Sequence, residues 1–106
     1  MSVDAISTLE ISVPYGSSVT IEGRLTKYAE ELAGLPGCIF YGITRSAKDS
    51  RQWVLTGHWE SQNQMVQHFA AVDIHKIIEI LEFPSVGIRF GSFFKADYAE
   101  ANHEFR

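Results

Sequence analysis

A chain of 106 residues is one domain's worth, long enough to bury a core without disulfides. Its 45% hydrophobic and 21% charged residues exclude disordered, collagen-like and low-complexity classes. Thirteen acidic residues against nine basic ones give a formal charge of -4, and the basic residues are scattered singly, which argues against nucleic acid as a partner.

The first apolar alternation sets Leu9, Ile11 and Val13 against Thr8, Glu10 and Ser12, so residues 5 to 13 read as a strand. Pro14-Tyr15-Gly16 ends it. Ser17 or Ser18 offers an N-cap, and Ile21, Leu25, Tyr28, Ala29 and Leu32 recur at helical spacing, giving a helix over 17 to 33 that stops before Gly34 and Pro36. Residues 38 to 46 and 52 to 60 are rich in β-branched and aromatic types and flank a polar turn, which predicts a hairpin. Trp53, Leu55, Gly57 and Trp59 share one face of its second strand.

Ser61-Gln62-Asn63-Gln64 has the form of a capping box, in which serine and glutamine each satisfy an unpaired backbone donor. Met65, Phe69 and Val72 form the stripe of the helix that follows. Asp73 looks like a fresh cap, with Ile74, Ile77, Ile78 and Leu81 continuing toward Pro84, so two short helices with a bend near Val72 are expected. Val86, Ile88, Phe90 and Phe94 mark a last strand over 86 to 95, and residues 96 to 106 form a polar tail.

This order predicts an α+β fold: a ferredoxin-like βαββαβ sandwich with a four-stranded antiparallel sheet and both helices on one face. The chain reads as one domain over 1–106, its core about 5–95. Two helices cover only one face, yet Phe40 opposes Ile39, Tyr41 and Ile43, and Phe93 opposes Phe90 and Phe94. The leftover aromatic surface is too large for a monomer, so a homodimer paired through the sheet face is expected.

The lone cysteine, Cys38, has no intrachain disulfide partner, and Met1-Ser2-Val3-Asp4 shows no secretory signal, so a reducing cytoplasm is the expected compartment. Cys38 itself reads as a small apolar residue. No apolar stretch nears the roughly 20 residues needed to cross a bilayer, so no membrane partner is expected.

Motifs for phosphate loops, paired cysteines or a nucleophile elbow do not occur, so chemistry must be read from single residues. His68 is the most informative, because positions 65, 68, 69 and 72 share a helical face and set an imidazole in an apolar stripe. It is either a hydrogen-bonded core histidine or a general base poised near neutral pH. Trp59 can wall a pocket for a flat ligand, while Trp53 reads as core. His58 and Glu60 point to the opposite face. His75 lies seven residues beyond His68, but no third ligand is evident and no metal is expected.

The combination Leu35-Pro36-Gly37-Cys38, Tyr41, Leu55-Thr56-Gly57-His58-Trp59-Glu60-Ser61, Met65 and His68-Phe69 resembles the antibiotic biosynthesis monooxygenase-like family of dimeric α+β barrels. The resemblance runs over about residues 8 to 95. It implies a sheet-paired dimer and a pocket between helices and sheet for a small phenolic or quinol aromatic. It also implies oxidation by molecular oxygen with neither metal nor flavin, so that no cofactor is expected. His68 then corresponds to the family's helix histidine, the catalytic candidate, with Trp59, Met65, Phe69 and Leu55 as substrate contacts. Leu55 and Met65 stand where polyketide-type oxygenases carry asparagine and tyrosine, and the first strand lacks the asparagine of the haem-degrading branch. Two other readings of the same pocket are a non-oxidative isomerase or cyclase and a non-catalytic small-molecule-binding dimer.

Overall fold

In the computed structural model, residues 2–13, 18–72, 79 and 87–95 are described. They form β1 (Ala5–Ser12), α1 (Ser18–Ala33), β2 (Cys38–Arg45), β3 (Gln52–Trp59), α2 (Gln62–Ala71) and β4 (Gly87–Phe94). The strands make one antiparallel sheet in the order β2-β3-β1-β4, and the helices pack on one face, which is the ferredoxin-like arrangement expected.

Strand alternation decides which side chains reach the helices. Ala5, Leu9 and Ile11 of β1 and Trp53, Leu55 and Trp59 of β3 are all buried, while the residues between them face the other way. Ile21, Leu25, Tyr28, Ala29 and Leu32 of α1 close over this layer at helical spacing. On β2 a bulge between Cys38 and Phe40 leaves Ile39 without a cross-strand partner and fixes the faces: Tyr41 turns to the helices and Phe40 to the open side.

The connections follow local chemistry. Asp49 Oδ1 accepts from the Arg51 backbone N–H at 2.9 Å and from its Nε at 3.1 Å, which closes the hairpin turn. Gly37 adopts φ +81°, a left-handed conformation that favours glycine, and the Gln64 side chain occupies the space a Cβ would need. The same glycine's carbonyl accepts from Glu60 N–H at 2.9 Å, so the start of β2 is tied to the approach to α2.

Ser61 caps α2 by accepting from Gln64 N–H at 3.2 Å. The second half of the expected capping box differs, because the Ser61 hydroxyl donates to Gln64 Oε1 at 3.0 Å. The glutamine lies against Gly37, so its carbonyl end takes the nearby hydroxyl. α2 ends at Ala71, and Val72 is extended with φ −72° and ψ 122°. The helical continuation from Asp73 to Leu81, the turn at Pro14-Tyr15-Gly16 and the tail from 96 lie outside the described residues, as does His75. Among the described residues no helix is long and apolar enough to cross a membrane.

Candidate functional site

Polar groups gather at one place in the helix-covered core, where β1, β2, β3 and α2 meet. Trp59 is fully buried, and its indole N–H donates to Ser7 Oγ at 2.9 Å. Ser7 lies among Ala5, Leu9 and Ile11 on the inward face of β1 and is itself 0% exposed. A buried indole N–H needs an acceptor, and this serine supplies it.

His68 occupies the second turn of α2, on the face of Met65, and is 2% exposed. Its ring centroid lies 4.7 Å from that of Trp59, 5.5 Å from Tyr41 and 5.1 Å from Phe69. Nε2 is 3.2 Å from the Tyr41 hydroxyl, whereas Nδ1 is buried without a partner among the described residues. Burial disfavours the charged imidazolium and pushes the His68 pKa down to about 4, so the ring is neutral at pH 7. Burial also raises the Tyr41 hydroxyl above its ordinary value, with the nearby ionisable Tyr28 and Cys38 adding to the rise. Cys38 is likewise raised by burial, which leaves a protonated thiol at the end of β2.

Gly57 is what allows this packing. It stands opposite both Tyr41 and Ser7 in the sheet, and a Cβ there would lie 2.7 Å from Ser7 Oγ, 2.7 Å from Trp59 Nε1 and 2.8 Å from Tyr41 Cε2. The three side chains lean over the bare backbone of the glycine.

Beside this cluster opens a cavity of about 460 Å³ lined by Phe69, Val72, Phe90, Gly91 and Ser92. That volume is in the range of about 300–1,000 Å³ usual for small-molecule sites. Phe69 joins the two features, since its ring contacts His68 and also meets Phe90 edge-on at 5.7 Å and 82°. Ser92 stands opposite Ser7 on the neighbouring strand.

Of the substrate contacts expected from the sequence, Phe69 lines the cavity. Leu55, Met65 and Trp59 are 0%, 1% and 0% exposed and lie in the core beneath it. Reading single residues missed Tyr41 and Ser7, the partners of His68 and Trp59, although a serine at an inward position of β1 was the available signal. His58 lies on the open face, its ring 5.7 Å from Phe40.

Residues 6–79 match the family model of antibiotic biosynthesis monooxygenase. Similar solved structures include a candidate antibiotic biosynthesis monooxygenase of Deinococcus radiodurans, with 18% identity over 88% of this chain and 93% of that one and a TM-score of 0.72. A conserved protein of Methanosarcina mazei is 18% identical over 89% and 95%, with a TM-score of 0.68. SnoaB of Streptomyces nogalater, a cofactor-independent oxygenase, is 15% identical over 89% and 95%, with a TM-score of 0.66. No curated protein matches the chain in sequence. At these identities the structural likenesses speak for the fold, and the family follows from the model match: the chain belongs to the antibiotic biosynthesis monooxygenase family.

Proposed function

We propose that this protein is a cofactor-independent monooxygenase of a phenolic or quinol aromatic, acting in the cytoplasm as a homodimer paired through its open sheet face. The observation that carries the reading is an aromatic-walled cavity set against a buried, neutral histidine. Phe69 and Phe90 suit the faces of a flat ring, and Ser92 adds a polar group at the rim. His68 is the catalytic candidate, its ring 5.1 Å from that of Phe69. The exposed Phe40 and Phe93 support the pairing of sheets.

The chemistry balances without a separate reductant. A phenol loses its proton, and the electron-rich phenolate passes electrons to dioxygen. One carbon–oxygen bond forms, and the second oxygen atom leaves as water with two hydrogens from the substrate. The protein's share is desolvation, orientation and stabilisation of the phenolate oxygen.

The test is oxygen uptake with a panel of quinols and polycyclic phenols, with a thermal-shift measurement on each. The reading expects uptake of one dioxygen per substrate oxidised. Turnover of the panel under argon would favour an isomerase or cyclase instead. Thermal stabilisation with no turnover in air would favour a binding dimer.

A further inference from the structure

The contact between the Tyr41 hydroxyl and His68 Nε2, at 3.2 Å between groups 8% and 2% exposed, admits two arrangements of hydrogens. If the imidazole donates from Nε2, two buried features are left without partners among the described residues, the Tyr41 hydroxyl hydrogen and the Nδ1 lone pair. If Tyr41 donates, the Nδ1–H and the lone pairs of the Tyr41 oxygen remain, so the count is even. A phenolic O–H is a stronger donor than a neutral imidazole N–H, and an imidazole nitrogen is a stronger acceptor than a phenolic oxygen, so the second arrangement prevails. We infer that Tyr41 is a positioning residue: it donates its hydroxyl hydrogen to His68 Nε2 and holds His68 in the tautomer that carries hydrogen on Nδ1.

The surrounding packing holds Tyr41 to this task. The β2 bulge turns its ring toward the helices, the ring lies over Gly57, and Trp59 meets it edge-on at 6.3 Å and 79°. The raised Tyr41 and lowered His68 pKa values keep both partners neutral, as the hydrogen bond requires.

The consequence bears on the proposed oxidation and rests on that reading. An aromatic oxygen that reaches His68 meets a donor, so His68 favours the phenolate by hydrogen bonding to it, and the phenolic proton leaves to solvent. This role differs from the general base that is one of the two sequence readings of His68. The arrangement parallels other sites in which a neutral donor stabilises developing negative charge.

The experiment is a long-range proton–nitrogen correlation spectrum of the full chain labelled with ¹⁵N-histidine at pH 7, for the native protein and Tyr41→Phe. The native protein is expected to show His68 protonated at Nδ1, with Nε2 carrying the shift of an accepting nitrogen. In Tyr41→Phe the population is expected to move several-fold toward Nε2–H. Native His68 protonated at Nε2 overturns the inference, and so does a Tyr41→Phe spectrum identical to the native one. The native spectrum is decisive on the tautomer even if the variant does not fold. A failure to consume oxygen would sink the proposed oxidation without altering this spectrum.

Discussion

On the helix-covered face of the sheet, the row Tyr41, Gly57, Ser7 and Ser92 crosses all four strands, while one residue away on the open face runs Phe40, His58, Ile6 and Phe93. In the covered row Tyr41, Gly57 and Ser7 are buried, with Tyr41 bonded to His68 and Ser7 to Trp59, while Ser92 at its end is exposed. The open row is largely apolar, half-buried at His58 and Ile6 and exposed at its ends, with Phe40 at 60% and Phe93 at 57%. Buried polar pairs on one face and exposed phenylalanines on the other are the two features on which the proposed pocket and the proposed sheet-paired dimer rest.

Truncation is the strongest way to break the comparison. Trp59→Ala removes a fully buried ring and leaves Ser7 without its donor, so urea unfolding should show a loss of about 3–5 kcal/mol. The equivalent change at exposed Phe93 should leave the unfolding of the monomer almost unaltered. Equal losses at both positions would erase the distinction between the faces.

Acid sharpens it next. The folded-state pKa of His68 is about 4 against an ordinary 6.5, so the unfolded chain takes up the proton first as the pH falls. The His68 contribution is therefore complete above pH 6.5, declines between 6.5 and about 4, and changes no further below. Urea midpoints across that window should report a loss of roughly 2–3 kcal/mol that His68→Gln abolishes.

On the open face, Phe93→Lys should weaken self-association by about 10- to 100-fold through a desolvated charge, as measured by sedimentation velocity. An unchanged sedimentation coefficient would show that this row is not the dimer surface. The smallest effect belongs to Arg89, whose 2.6 Å pair with Glu10 lies at the surface; Arg89→Ala should leave the unfolding midpoint of the monomer within error.

The faces of the sheet were legible in the sequence because alternation is local. Leu9, Ile11 and Val13 announce one strand, Trp53, Leu55 and Trp59 another, and the helical stripe that includes Met65 and Phe69 identifies His68 as inward. The partners of the site were not legible. Tyr41 and His68 are 27 residues apart and Ser7 and Trp59 are 52 apart, so each pair exists only once strand order and register are set. The bulge after Cys38 adds a further step that no simple alternation describes. Extending the β1 alternation back from Leu9 does place Ser7 inward, and a lone polar residue on a buried stripe marks a donor waiting elsewhere in the fold. The cavity walls at Phe90 and Ser92 depend on β4 lying beside β1, which is again a matter of topology.

The central claim, oxidation of an aromatic in the cavity beside His68, is tested most directly by oxygen consumption with quinols and polycyclic phenols, comparing the native protein with a folded His68→Ala variant. The account predicts uptake by the native protein with at least one of these substrates, matched by substrate loss, and a fall of about 100-fold in kcat in the variant. No uptake with any of them, or full activity in the variant, would contradict it.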